Sequence, residues 1–332
     1  MCIRDRRTRA WHETRRKLTG GTHTVTAFLQ IDDPYSYLLS QYLPALADHY
    51  DIELKIRLSE ALGGEYHPAP ELLAEYAITD CGRMAFELGL PYLDRGATPP
   101  VEHRRGLLDY LAGVTDTAEV FRAFEHYWRG DAAAAARLSG EGREGAGDAA
   151  IAESRRELQK LGHYNSAMLY YGGEWFWGVD RLGHLVARLE ELGLAREDGI
   201  NPRIASIEQV MQFDLPVMPP DAAKGLPPLD LFFSFRSPYS YLCLQRVYEL
   251  ADAFGLELVL RPVLPMVMRG LEVPPGKVRY IARDAMREAE LHGIPFGDCI
   301  DPVGEGVERC HAAFAYALTE NRARDFALHA SE

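Results

Sequence analysis

What this chain lacks narrows it first. Its five cysteines, Cys2, Cys81, Cys243, Cys299 and Cys310, form no C-x-x-C, no zinc spacing and no dense pattern, which argues against dithiol exchange, structural zinc and a disulfide-stapled scaffold. They read as reduced thiols, mostly core filler, in a cytoplasmic protein. A cationic surplus is also missing: 36 Lys and Arg against 49 Asp and Glu give a net charge of −13, unfavourable for nucleic acid or an anionic membrane as partner. No apolar run approaches the roughly 20 residues of a membrane span. The eleven histidines include no H-E-x-x-H, so no metal site is expected. The basic first two dozen residues lack the apolar stretch of a secretory signal. Met1 to Arg6 resembles the translated end of a transposase adapter used for sequencing libraries, so residues 1–22 are set aside as an artefactual or disordered leader.

What is present is a duplication. Pro-Tyr-Ser-Tyr occurs at Pro34–Tyr37 and at Pro238–Tyr241. Sliding Val25–Tyr92 onto Leu229–Phe296 at a constant offset of 204 needs no gap, and about 20 of 68 positions are identical. Among them are Arg57 with Arg261, Pro70 with Pro274, Tyr76 with Tyr280, Asp80 with Asp284, Arg83 with Arg287 and Pro91 with Pro295.

Periodicity predicts a strand over Thr24–Ile31, a helix over Pro34–Tyr50 and a strand over Ile52–Leu58, which together make a right-handed βαβ unit with parallel strands. A helical, polar insert follows to about Lys160. Ala167–Tyr171 and Glu174–Trp177 read as a hairpin around Gly172-Gly173, and Asp180–Leu194 as a closing helix. The proline-rich stretch 195–228 reads as a linker. The second copy repeats strand Leu229–Phe235, helix Pro238–Phe254, strand Leu256–Val263 and helix Lys277–His292, then only helices to Glu332. The expected architecture is α/β: tandem thioredoxin-like domains with helical insertions, the first over 23–194 and the second over 229–332, incomplete at its C-terminus. Gly140-x-Gly142-x-x-Gly145 matches a dinucleotide fingerprint but follows an alanine-rich helix instead of a strand, so it is expected to be a flexible loop.

The order βαβ, helical insert, ββα, with Ser237-Pro238-Tyr239-Ser240-Tyr241, Arg261-Pro262-Val263, Pro274-Pro275-Gly276-Lys277 and Tyr280-x-x-x-Asp284-x-x-Arg287, resembles the DsbA-like thioredoxin superfamily. Within it the chain is similar to the branch of 2-hydroxychromene-2-carboxylate isomerases and kappa-class glutathione transferases. The first copy resembles it through Asp33-Pro34-Tyr35-Ser36-Tyr37 and Phe176-Trp177-Gly178-Val179-Asp180-Arg181-Leu182. Both cysteine positions of the redox turn are replaced, by Asp33 and Ser36 and by Ser237 and Ser240, so a dithiol oxidoreductase is excluded. The resemblance implies glutathione as cofactor and a small electrophile as substrate. Ser237 would activate the thiol with help from the helix N-terminus, and Pro238, Lys277 and Asp180 would line the cofactor site. The thiolate would add to an electrophilic carbon and leave after bond rotation, or stay as in a transferase.

Each residue has a plainer reading. Ser237 before Pro238, like Asp33 before Pro34, is a good helix cap; Lys277 suits a solvated helix face; Asp180 suits the start of the closing helix. Asp33 would repel a thiolate, and Ala167 stands where the fold places a cis-proline that clamps the thiol ligand, so the first copy reads as a degenerate scaffold. Trp175 and Trp177 are expected to pack the core, and the Tyr/Asp/Arg set to tie a helix to the sheet. The alternative function is a non-catalytic thioredoxin-fold scaffold or fragment, with the copies packed on each other or in a homodimer. A general oxidoreductase role resting on fold alone is contradicted by the absent cysteines.

Overall fold

The computed structural model describes residues 3–60, 66–92, 103–196, 203–204, 207, 215, 223–297 and 299–332, with side chains from residue 7. It divides into two compact units, Arg4–Phe213 and Asp214–Glu332, the latter grouped with Met1–Ile3. Among the described residues no helix is long and apolar enough to cross a membrane.

The first unit opens with α1 (Ile3–Thr19), so the segment set aside as a leader is helical over these residues. Arg9 in α1 pairs with Glu174, its Nε 2.8 Å from Oε2. Then come β1 (Thr24–Leu29), α2 (Pro34–Ser40), α3 (Leu43–His49) and β2 (Glu53–Leu58). The single helix expected from 34 to 50 is broken, and Pro44 explains the break: it lacks an N–H and its ring crowds the carbonyl four residues earlier. Among the described residues of the insert five helices follow: α4 (Pro70–Glu87), α5 (Arg104–Leu111), α6 (Thr117–Arg129), α7 (Ala132–Ser139) and α8 (Ala146–Leu161). The hairpin β3 (Met168–Tyr171) and β4 (Glu174–Trp177) leads through a short 3-10 turn to α9 (Leu182–Glu191).

The sheet order is β2-β1-β3-β4, with β1 parallel to β2 and antiparallel to β3. β1 is buried from Val25 to Leu29, on both faces, Thr26 included. Around it Tyr37 and Trp128 stack at 5.5 Å, and the Trp128 Nε1–H donates to the Ile31 carbonyl. Each large side chain so buried contributes about 1.5–3 kcal/mol. Ile204 and Ile207, inside the expected linker, are buried in this same core, so the first unit extends past residue 194. Most of the remaining linker lies outside the described residues.

The glycine fingerprint lies in the turn between α7 and α8, and its glycines serve packing. Gly140 ends α7 and Gly145, at φ 75°, precedes α8. A β-carbon on Gly142 would lie 2.5 Å from the Tyr110 nitrogen, and one on Gly147 would lie 2.7 Å from the Leu108 Cβ. The Gly147 N–H donates to Asp109 Oδ1 at 2.8 Å. These glycines let α8 and the turn before it press directly on the backbone of α5.

The second unit holds β5 (Leu229–Phe233), α10 (Pro238–Phe254), β6 (Leu258–Pro262), α11 (Pro275–Leu291), α12 (Glu305–Thr319) and α13 (Ala323–His329). β5 and β6 are parallel, Leu229 opposite Leu258, and the 204 offset carries the Val25–Leu54 pair of β1 and β2 onto that pair. Position 248, the counterpart of Pro44, is tyrosine, and α10 runs unbroken for 17 residues. One core gathers Phe233, Phe235, Leu244, Leu260, Phe314 and Ala327; a smaller one holds Leu242, Ala285 and Ala289. Among the described residues this sheet has two strands.

Candidate functional site

The turn that enters α10 is built by local chemistry. Ser237 is extended (φ −85°, ψ 118°) and its Oγ accepts from the Ser240 N–H at 3.3 Å, with Pro238 in the first helical turn. That is a standard N-cap. Ser240 Oγ in turn accepts from the Ser234 N–H at 3.1 Å, fastening the turn to the end of β5. The first unit repeats this bond between Ser36 Oγ and the Gln30 N–H, also at 3.1 Å.

The two turns differ at the cap itself. Asp33 accepts from the Tyr35 and Ser36 N–H groups, from Ser36 Oγ at 2.7 Å and from Ser166 Oγ at 3.1 Å. Burial nevertheless pushes its carboxyl above the usual range, against these hydrogen bonds. Ser166 belongs to the segment before β3, so the Asp33 carboxyl group locks its own turn to the entry of that strand. Next to Ser166, Ala167 takes a left-handed backbone, φ 53°, and its carbonyl accepts from Gly178 N–H at 2.8 Å. Such a conformation costs about 1 kcal/mol for a residue with a β-carbon. The Ser237 hydroxyl has one hydrogen bond among the described residues, leaving its proton and a lone pair for a ligand.

The preceding residue reverses charge between the copies, and its partners were not visible in the sequence. Arg236 grips Asp301 with two bonds of 2.7 and 2.8 Å, whereas its counterpart Asp32 pairs with Arg104 at 3.0 Å. The Arg236 bond holds the Asp301 carboxyl below the usual carboxylate range. The partners 104 and 301 do not match under the 204 offset, so no sequence repeat announces them.

Behind each turn sits a carboxylate that gathers phenols. Tyr239 Oη donates to Asp284 Oδ2 at 2.8 Å, while Tyr280 Oη and Arg287 Nη2 reach Oδ1 at 3.3 and 3.1 Å. In the first unit Tyr35 donates to Asp80 at 2.8 Å and Tyr76 at 3.4 Å. Burial and the Asp80 bond push the Tyr35 phenol well above its ordinary pKa. The motif was expected to tie a helix to the sheet; instead it ties α11 to the first turn of α10, and α4 to the first turn of α2.

Of the other expected residues, Lys277 lies in the first turn of α11, half-buried, where burial lowers its ammonium pKa. α11 packs on α10, which carries Ser237 and Pro238. Asp180 lies in the first unit, in the 3-10 turn before α9, with Arg181 Nη1 3.0 Å from its Oδ2. It is not brought together with Ser237 within one unit, and α9 begins without a side-chain cap. Trp175 is buried against Phe28, but Trp177 is 37% exposed and so is not the core residue expected.

Residues 228–330 match the family profile described as DSBA-like thioredoxin domain. The second unit therefore carries a DsbA-like thioredoxin domain. It is similar to a 2-hydroxychromene-2-carboxylate isomerase of Pseudomonas putida, with 32% identity over 103 residues, 29% of this chain. The chain spans about half, 49%, of that relative's length. A solved structure of a 2-hydroxychromene-2-carboxylate isomerase aligns with 51% of this chain and 96% of its own, at 18% identity and a TM-score of 0.39.

Proposed function

We propose that the chain holds two copies of one thioredoxin-like domain, and that the second is a glutathione-dependent isomerase or transferase site acting on a small electrophile. The observation that carries this reading is the contrast at the cap. Ser237 keeps hydrogen-bonding capacity at the N-terminus of a 17-residue helix, beside a guanidinium, where Asp33 is consumed by its own turn. A serine hydroxyl there donates to a thiolate sulfur, and the helix N-terminus favours the negative charge. Lys277 suits a carboxylate of the cofactor, at the start of the helix packed on α10. Bound glutathione would supply the nucleophilic thiol that the Ser237–Ser240 turn lacks. The first copy is then a scaffold, since its carboxylate disfavours a second anion.

Affinity is expected to be weak, because β5 has no third strand beside it among the described residues. A missing clamp of this kind costs on the order of 2 kcal/mol or more. The test follows the amide resonances of Ser237, Tyr239 and Ser240 as glutathione is added, and the absorbance of the thiolate against pH. In wild type these amides should move and the thiol should ionise below its free pKa. Ser237→Asp keeps the cap but sets a charge beside the sulfur, so both effects should vanish while stability holds. Ser237→Ala should lose about 1 kcal/mol of stability as well. Identical titrations for wild type and Ser237→Asp would reduce Ser237 to a cap.

A further inference from the structure

In the first unit a buried hydroxyl interrupts the apolar stripe of α8, the helix that packs on β2. Ile151, Ser154, Arg155 and Leu158 recur at the spacing of one helix face, and Ile151, Ser154 and Leu158 are buried. Ser154 is 2% exposed, and its Oγ has no hydrogen-bond partner among the described residues. A hydroxyl on a helix can satisfy itself on the carbonyl one turn earlier. Ser139 of α7 does so with Ala135 at 2.7 Å, and Thr19 of α1 with Arg15 at 3.0 Å. Ser154 does not.

This hydroxyl borders a cavity between α8 and the sheet. Phe28 of β1 with Ile151 and Leu158 makes its apolar wall, and Ser59, just past the end of β2, faces Ser154 across it. The Ser59 N–H is fixed to the Leu29 carbonyl at 2.8 Å. Glu60 and Arg155 complete the lining and pair with each other; Arg155 is exposed and Glu60 half-buried, so the pair forms the solvent side. The cavity measures about 10 Å³, close to what the centre of one water molecule requires. Its size admits one small molecule. A carboxylate and a guanidinium that cancel give no preference for an ion, and two hydroxyls call for an occupant that both donates and accepts.

We propose that this cavity is a binding site for one neutral molecule of this kind, water, held by Ser154 and Ser59 beneath a lid made by the Glu60–Arg155 pair. The water ties the exit of β2 to the middle of α8 and supplies the hydrogen bond that Ser154 does not make within its own helix. The proposal concerns the first unit alone and does not rest on the glutathione reading, so either can fail without the other.

The experiment compares the full chain with Ser154→Ala and Glu60→Gln by oxygen-17 relaxation dispersion of water, which counts long-lived internal waters and times their exchange. Ser154→Ala should hold one fewer than wild type. Glu60→Gln should keep the count and shorten the residence of that water at least tenfold. Stability gives an independent sign. Alanine is the better helix former, so if Ser154 were an orphaned hydroxyl and nothing more, Ser154→Ala would be the more stable protein. Loss of the bridging water instead should lower the folding constant of the first unit about fivefold, read by urea titration of tryptophan fluorescence. Equal water counts in wild type and Ser154→Ala, or a more stable Ser154→Ala, would overturn the site. An unchanged residence time in Glu60→Gln would overturn the lid.

Discussion

Two capping residues with the same backbone role have different chemical futures. Asp33 spends its carboxylate on four donors, two of them hydroxyls, and Ser237 spends one lone pair on one amide. The cap role was legible in both turns, because Ser or Asp before Pro is a local signal. The locking role of Asp33 was not, because Ser166 is far away in sequence. At the same scale, His163 is buried between Tyr164 and Trp175, and desolvation lowers its pKa to about 3. Its folded pKa lies below the unfolded value near 6.5, so the unfolded chain takes up the proton first as pH falls. Stability from this group is complete above pH 6.5 and declines toward pH 3, by about 1.4 kcal/mol per pH unit. Urea unfolding of the first unit between pH 7 and 4 should therefore steepen with acid, and His163→Phe should flatten that limb by one proton. An unchanged slope would remove His163 from the acid response.

Among elements, the phenol and carboxylate clusters set where the helices sit. Asp284 is buried and takes three donors, one of them Arg287, while Asp80 is partly exposed and Tyr76 beside it is 54% exposed. Asp284→Ala leaves a buried guanidinium without its carboxylate and should cost the second unit about 3–5 kcal/mol. Asp80→Ala should cost the first unit about 1 kcal/mol, that of an ordinary hydrogen bond. Denaturant melts followed by hydrogen exchange in each unit separate the two, and equal costs would contradict this account. Element boundaries came close from sequence: the Gly172-Gly173 hairpin and both parallel strand pairs fall within two residues of their expected ends. The break at Pro44 was missed because apolar spacing was read across a proline. The carboxylate clusters were visible as residue types at helical spacing, but their target was not, since i, i+4 periodicity names a face and not the neighbour it meets.

At the scale of the molecule the two units bury unequal cores. Among the described residues the first combines four strands with one large apolar core, and the second two strands with two small apolar clusters. The second unit should unfold at lower denaturant, giving two transitions instead of one. Tryptophan fluorescence isolates the first unit, since Trp11, Trp128, Trp175 and Trp177 all precede residue 214. Circular dichroism should lose part of its helical signal before that fluorescence changes, and coincident curves would refute the separation. The sequence repeat was plain because 204 is a constant offset, whereas this asymmetry depends on contacts that no repeat encodes.

The crossing of α8 over α5 carries a warning for anyone who mutates by motif. Replacing Gly142 with alanine is the customary check on a suspected phosphate loop, and in this protein it would abolish whatever is assayed, as would the same change at Gly147 inside α8. The cause would be steric, because the added methyl meets α5 at Gly142 and Gly147 within 3 Å. Gly147→Ala should lower the melting temperature of the first unit by several degrees or drive it into inclusion bodies, with nucleotide present or absent. Gly145 has open space around its α-carbon but sits at φ 75°, so alanine there should cost only about 1 kcal/mol of backbone strain. Ranking the three variants by solubility thus tells crowding from ligand loss before any ligand is tried.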